Sequence, residues 1–183
     1  MRTRPLLLAG LLAAALAAAG CGSSSSSGNA ATHTAQAPPV KEASPAGDIP
    51  DNQAYVAYAP PGAGFSVKVP EGWARTSKGA AMIFTDKLNS IAMQTSARAS
   101  TSTAGLQSAK VTTVSRTAGK ATRISYLAQS AADPVTGKTH VDAVERYVFH
   151  HGSGDVVLTL SGPKGADNVD PWKIVTESLR FTR

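Results

Sequence analysis

Two adjacent histidines and two short motifs with serine or lysine are the residues of this sequence that could do chemistry. His150 and His151 could bind a metal ion. Neighbouring residues of a β-strand point to opposite faces of a sheet, however, so the pair is poorly placed to chelate one ion. Residues 161–164 (SGPK) have the spacing of a serine nucleophile and its lysine base, yet Gly162 and Pro163 prevent the helical turn that would bring the two together. Residues 135–139 (VTGKT) match the end of a phosphate-binding loop but lack its first glycine. We therefore predict a protein that is not an enzyme, with no catalytic residue, metal site or cofactor.

Other residues could bind a ligand or a partner. Trp73 and Trp172 could line a pocket between a sheet and a helix, although tryptophans in such places are more often plugs of the core. Arg116, Lys120 and Arg123 surround one predicted hairpin and could contact an anionic surface. The alternative for these three is a solvated face that protects a sheet edge.

The single cysteine has a distinctive chemical context. Arg2 and Arg4 precede an apolar run at residues 5–19, and small residues then lead directly to Cys21. This segment resembles the lipobox of bacterial lipoproteins, although alanine stands where leucine is usual, three residues before the cysteine. The resemblance implies a lipid on the sulfur of Cys21, which would become the new N-terminus. An ordinary signal peptidase could instead cleave after residues 17–19, which would leave Cys21 as a free thiol.

The apolar run is too short to span a membrane. As a helix its 15 residues would extend about 22 Å, against about 30 Å of bilayer hydrocarbon. We therefore predict that residues 1–20 are a lipoprotein signal peptide. The chains on Cys21, at about 0.8 kcal/mol for each buried methylene, would then hold the protein in the bilayer. The expected location is the extracytoplasmic face of the cell membrane or envelope.

Composition limits the partners. The chain has 18 lysines and arginines against 12 acidic residues, and loss of Arg2 and Arg4 would lower the net charge from +6 to +4. No run of like charges is present, so a nucleic-acid partner is not expected. One cysteine forms no internal disulfide, and the folded part must depend on its apolar core.

Residues 21–50 have the composition of a disordered tether. Serine, alanine, glycine and proline dominate, and only Val40 and Ile49 are sizeable apolar residues. Such a segment buries too little surface to offset the entropy of ordering it. As a flexible coil it would reach roughly 30 Å.

Residues 51–183 have the patterns of one α+β domain. Residues 64–70 alternate between apolar and polar, as in a half-buried strand. About six such strands joined by short turns predict an antiparallel sheet. A short helix is expected near Ala104, and a C-terminal helix packed on the sheet is expected with Asp170 as N-cap and Pro171 in its first position. Its apolar face would be formed by three residues at helical spacing, Trp172, Val175 and Leu179.

Two motifs of the domain resemble those of a known fold. They are G-x-x-V-x-V-P-x-x-W at residues 64–73 and the terminal SLRF at residues 178–181. Over about residues 53–181 the chain resembles the PsbP-like fold, which is shared by the extrinsic photosystem subunit and by bacterial envelope lipoproteins of the LpqN and DcrB types. The resemblance implies an α/β/α sandwich on an antiparallel sheet. It implies no reaction, because that fold mostly serves as a docking or accessory module.

The expected function is thus that of a membrane-anchored, non-enzymatic binding or accessory module. Its partners would be the bilayer, through Cys21, and an envelope protein or a small ligand. One alternative is a carrier of a lipid or hydrophobic small molecule in the gap between sheet and helix. Another is a hydrolase with an unrecognised site.

The anchor gives a first testable prediction. Cys21→Ser should move the protein from the membrane pellet to the medium or periplasm, because the lipid is attached to the cysteine sulfur. Cell fractionation measures the change. Pelleting that is the same for both proteins would contradict lipidation.

Overall fold

A computed structural model of the chain describes residues 45–133 and 135–182. The predicted signal peptide, Cys21 and most of the predicted tether lie outside the described residues. No helix in the part described is long and apolar enough to cross a membrane. The elements are β1 (Tyr55–Tyr58), β2 (Phe65–Pro70), β3 (Ala74–Lys78), β4 (Ala81–Asp86), β5 (Asn89–Ser96), β6 (Gln107–Arg116), β7 (Gly119–Gln129), β8 (Val141–His151), β9 (Gly154–Pro163), α1 (Val169–Glu177) and β10 (Arg180–Phe181).

The larger of two sheets has seven antiparallel strands in the order β3-β4-β5-β9-β8-β7-β6. Tight turns connect most of the neighbouring strands in this sheet, and Gly119 and Gly152 have the positive φ that such turns need. The predicted antiparallel, sheet-rich α+β fold is confirmed. The predicted count of about six strands is wrong, because the described residues form ten strands in two sheets.

The smaller sheet has three strands, with β2 between β1 and β10. The alternation predicted at residues 64–70 is observed, since Phe65, Val67 and Val69 are buried in the core. That core also contains one face of the large sheet, which we call the inner face and which carries Tyr147, Phe149, Val156, Leu158 and Leu160. The small sheet and α1 form a second layer over the inner face.

The opposite, outer face of the large sheet carries Ile124, Val148 and Val157, which are also buried. Residues 97–106 connect β5 to β6. The last residue of β5 and the first residue of β6 lie at opposite ends of the sheet, so this segment crosses the outer face. It contains a turn closed by a hydrogen bond from Leu106 to Thr103, not the helix predicted near Ala104. Among the described residues α1 is the single helix, and the predicted α/β/α sandwich is corrected to a two-layer arrangement with an irregular segment on the outer face.

The helix α1 begins two residues earlier than its sequence pattern indicated. Asn168, not Asp170, is the N-cap, and its carbonyl accepts a hydrogen bond from the Trp172 N–H. Pro171 is the third helical residue, where an intrahelical donor is still not needed. The predicted apolar face is confirmed, because the side chains of Trp172, Val175 and Leu179 are all buried.

A buried group of hydrogen bonds joins the start of the described chain to both layers. Asn168 Oδ1 accepts from the Ile49 N–H at 2.9 Å, and Asn168 Nδ2 donates to Asn89 Oδ1 at 3.0 Å. Both asparagine amides also donate to the Gly47 carbonyl. We call these two side chains with the Gly47 and Ile49 backbone the asparagine cluster. Ile49 is 4% exposed, so residues 47–49 pack in the fold, although composition assigned them to the tether.

The asparagine cluster gives a second prediction. Asn168→Ala leaves the Ile49 N–H and Asn89 Oδ1 without their partner, and we expect the free energy of unfolding to fall by roughly 2–4 kcal/mol. The urea midpoint measures this, provided that the denaturant slope is unchanged.

The matched control is Asn52→Ala, because Asn52 is exposed and the change should stay within about 0.5 kcal/mol. Gly162→Ala should also destabilise, since its Cβ would overlap the Asn89 side-chain oxygen. Equal stability of Asn168→Ala and Asn52→Ala would contradict the role of the cluster.

Candidate binding cavity

A cavity of about 470 Å³ lies between α1 and the part of the inner face formed by β6, β7 and β8. The loop between β9 and α1 closes one side of it. Its floor is therefore sheet and its roof is helix and loop. The residues that line it are Ser108, Arg116, Arg123, Ser125, Tyr126, Leu127, Ala143, Val144, Glu145, Tyr147, Pro163, Ala166, Asn168, Val169, Trp172 and Lys173.

The centre of the floor is a polar network on two adjacent strands. Tyr147 donates its hydroxyl hydrogen to Glu145 Oε2 at 2.5 Å, and Arg123 Nη1 donates to Glu145 Oε1 at 3.3 Å. Both carboxylate oxygens thus accept a hydrogen bond. Arg123 Nε also donates to Thr112 Oγ1 at 3.2 Å, which holds the guanidinium in place. The network is only partly exposed, so its members are fixed by one another as well as by the sheet.

Arg116 connects this floor to the helix above it. Its Nε donates to Thr176 Oγ1 at 3.0 Å, and its Nη2 lies 3.4 Å from the Tyr147 hydroxyl. The guanidinium also lies over the Tyr147 ring, 5.4 Å from the centroid, and 3.7 Å from Glu177 Oε1. Glu177 in turn accepts two hydrogen bonds from Thr117 in the hairpin. The edge of the large sheet and the second half of α1 are therefore held together by polar contacts.

The roof of the cavity is mostly apolar. Trp172 is 8% exposed, and the exposed Val169 lies beside it on α1. Leu127 and Ala143 face each other across β7 and β8 and extend the apolar surface to the floor. The indole N–H of Trp172 is buried and has no hydrogen-bond acceptor among the described residues. Because this nitrogen has almost no accessible surface, Trp172 contributes its ring to the cavity and not its N–H.

Ser108 at the edge of the cavity has an unusual backbone conformation. Its φ is 54°, a left-handed value that is uncommon outside glycine. The register of β6 against β7 shifts between Gln107 and Lys110, which marks a β-bulge. Bulges and strained residues concentrate at functional sites, where they change the direction of a side chain. This conformation therefore supports the cavity as the functional region.

The structure separates the residues that the sequence grouped together. Trp172, Arg116 and Arg123 line the cavity, whereas Trp73 packs against the core and is not among its lining residues. Lys120 lies on the outer face, because its strand position alternates with that of Arg123. The three basic residues therefore do not form one patch, and two of them are paired with carboxylates.

Sequence reasoning missed Glu145 and Tyr147 as members of the site. The Glu145-Arg146 pair reads as a cross-strand charge pair or as two solvated side chains. Adjacent strand residues lie on opposite faces, and the partner of Glu145 is Arg123 on the neighbouring strand. Alternation alone places Glu145 and Tyr147 on one face, but only the register of β7 and β8 brings Arg123 beside them.

The histidines occupy separate places. His150 Nδ1 lies 2.9 Å from Asp155 Oδ1, and the His151 ring stacks on Phe181 at 3.8 Å between centroids. His140 Nε2 lies 2.9 Å from Asp142 Oδ1 at the other end of β8. Within residues 45–133 and 135–182 no three histidine, cysteine or acidic side chains come together as metal ligands.

The electrostatics of the floor keep the Tyr147 phenol protonated. Burial raises the pKa of the Tyr147 phenol, and the hydrogen bond to Glu145 raises it further, while Arg116 opposes the shift. A phenol with a raised pKa stays protonated at neutral pH, so it acts as a hydrogen-bond donor and not as a nucleophile. The floor is a fixed array of donors and one carboxylate that is already bonded.

No protein-family model and no curated protein matches the chain. Solved structures to which it is similar include a protein from Bacteroides thetaiotaomicron VPI-5482 and the Ran-binding protein Mog1p from Saccharomyces cerevisiae. The first match has a TM-score of 0.48 at 13% identity and covers 69% of this chain and 48% of that one. The second has a TM-score of 0.44 at 10% identity and covers 70% of this chain and 96% of Mog1p. The chain thus spans about half the length of the first protein, and likeness at this level assigns neither a family nor a function.

The phenol of Tyr147 gives a third prediction. Its pKa is higher in the folded chain than the ordinary value of 10.0, so the folded state retains the proton to higher pH. The stabilisation is therefore complete below about pH 10 and is lost as the pH rises through the folded value. Tyr147→Phe should make the alkaline fall in the free energy of unfolding shallower.

Urea unfolding at a series of alkaline pH values measures this slope. Tyr126→Phe is the control, because Tyr126 is on the adjacent strand β7 and, unlike Tyr147, has no hydrogen bond to a carboxylate among the described residues. Identical slopes for the parent and Tyr147→Phe would contradict the assignment.

Proposed function

We propose that the chain is a non-enzymatic binding module of the bacterial cell envelope that is anchored through an acylated Cys21. The domain binds a small ligand in the cavity under α1. The observation that carries this proposal is the cavity itself, about 470 Å³ with an apolar roof and an ordered polar floor. Ligand sites in proteins typically measure 300–1,000 Å³ and combine apolar walls with a few fixed polar groups.

The state of the polar groups supports binding over catalysis. The oxygens of Glu145 both accept hydrogen bonds, and Arg116 and Arg123 each have a carboxylate partner. A general base or nucleophile must be directed at the substrate, whereas both oxygens of Glu145 are directed at donors of the protein. Groups fixed in pairs instead give a ligand a preformed surface, with little cost of reorganisation on binding.

The PsbP-like resemblance of residues 53–181 belongs to the same proposal. The antiparallel sheet with a terminal amphipathic helix supports the PsbP-like resemblance. The polar composition of the predicted tether supports a domain held at a distance from its lipid anchor. The tether would hold the cavity within roughly 30 Å of the membrane surface. A bound ligand could then be presented to membrane proteins or received from them.

Transport of a hydrophobic small molecule is the second candidate function. The apolar roof residues Trp172 and Val169 favour it, together with Leu127 and Ala143 on the floor. Mass spectrometry of the purified full chain, released from cells in mild detergent, would show such a molecule if it copurifies.

The cavity gives a fourth prediction. The neutral probe N-phenyl-1-naphthylamine should bind the folded chain at one site, with increased fluorescence, because the cavity offers it an apolar surface. Ser125 lines the floor, and Ser125→Phe should weaken this binding about tenfold or more by filling the space.

Ser115→Phe is the matched control. Ser115 lies exposed on the outer face of β6, so the same substitution there should leave probe binding unchanged. A probe that does not bind, or that binds both variants equally, would contradict the cavity as the ligand site.

A further inference from the structure

More cationic than anionic side chains surround the cavity. Three cations line it, Arg116, Arg123 and Lys173, against the single carboxylate of Glu145. Glu177 lies outside the lining and pairs with Arg116 at 3.7 Å. With Glu177 included, one positive charge remains in excess. Lys173 supplies it at the mouth, since it is exposed and has no ion-pair partner among the described residues.

Arg123 retains hydrogen-bond donors for a ligand. A guanidinium has five N–H donors. Within the described residues, Nε of Arg123 bonds to Thr112 and Nη1 bonds once to Glu145. The Nη2 group and the second hydrogen of Nη1 therefore have no acceptor among the described residues, and the side chain is 30% exposed. A planar group with two such hydrogens matches the two oxygens of a carboxylate or sulfonate.

Trp172 supplies an aromatic surface from the roof, where it lines the cavity and is 8% exposed. Its indole N–H is buried and has no acceptor in the part of the chain that the structure describes, so the contact that Trp172 offers is that of its ring. The ring would pack on the apolar body of a ligand that bonds to Arg123.

We propose that the cavity selects an amphipathic organic anion, a molecule with one carboxylate- or sulfonate-type group and an apolar, preferably aromatic, body. This inference rests on the proposed function and specifies its ligand. The anionic group bonds to the free edge of Arg123 and lies in the positive field that Lys173 extends to the mouth. The apolar body packs under Trp172 and against Leu127 and Ala143.

The same contacts disfavour a cationic ligand. The one carboxylate of the lining already bonds to Arg123 and Tyr147, so a cation would have to share it with these donors and would meet three positive charges. A neutral ligand of the same shape would gain the apolar contacts but not the charge-assisted hydrogen bonds, which are about twice as strong as neutral ones.

A pair of probes that differ in one group tests this selectivity. 8-Anilino-1-naphthalenesulfonate has the aromatic body of N-phenyl-1-naphthylamine and adds a sulfonate. We expect the sulfonate probe to bind the full chain about tenfold more tightly than the neutral probe, a factor that corresponds to roughly 1.4 kcal/mol. Arg123→Met should remove this preference, whereas the affinity for the neutral probe should change little.

Two further variants complete the design. Lys173→Met replaces an exposed residue, so it keeps the test valid if Arg123→Met does not fold, and it should reduce the preference about threefold. Lys120→Met is the control, because it removes a lysine from the outer face and should leave the preference unchanged. Quenching of Trp172 in a Trp73→Phe background reports whether each probe enters the cavity, since these are the two tryptophans of the chain.

The outcomes separate the two proposals. Equal affinity for both probes, unaffected by Arg123→Met and Lys173→Met, would overturn the anion selectivity and leave the binding function standing. Failure of both probes to bind or to quench Trp172 would overturn the binding function itself.

Discussion

The fold depends on a constraint imposed by two buried side-chain amides. Asn89 and Asn168 are 5% and 3% exposed, and each must find hydrogen-bond partners inside the protein. They find them in each other and in the backbone of residues 47–49. Asn89 is the first residue of β5 and Asn168 is the N-cap of α1, so the cluster joins the sheet, the helix and the N-terminal segment at one place. Gly47 and Gly162 lie where a Cβ would overlap a neighbouring side chain.

The cavity exists because the cover of the inner face is narrower than the sheet. Seven strands at about 4.8 Å spacing extend about 29 Å. The second layer has three strands and one helix, which side by side extend about 20 Å. The apolar residues of β4, β5 and β9, together with Phe149 of β8, lie under this layer and form the core. Beyond them, Arg123 and Ser125 of β7 and Glu145 of β8 are the polar residues of the inner face, and the asparagine cluster fixes the start of α1 above these.

Sequence patterns identified the elements that depend on residues close together in the sequence. They missed the strands that depend on pairing with distant segments. The alternation of β2 and the apolar spacing of α1 are local, and both are present in the fold. The strand β3 is exposed along its whole length and has no alternation to detect. The two residues of β10 form a strand only because Phe181 pairs with Phe65, far away in the sequence.

The same distinction applies to the cavity. Trp172 could be identified as a lining residue from its helix, because periodicity shows which face is turned to the sheet. The roles of Arg116 and Arg123 could not, since a sequence shows two basic residues near a turn but not the carboxylates that pair with them. Those carboxylates are at Glu145 and Glu177, more than twenty residues away along the chain. Only the strand register and the position of the helix bring these charges together.

The composition of the outermost strands affects how two copies of the molecule meet. An unpaired strand edge is a template on which another chain could add a strand. On one edge, β3 presents Arg75 and Lys78 to solvent, and on the other, β6 has a bulge beside Ser108 that interrupts its hydrogen-bonding row. Charge repulsion at the first edge and broken spacing at the second both oppose such addition. The large sheet is thereby protected against edge-to-edge growth into aggregates, even when many copies are crowded together.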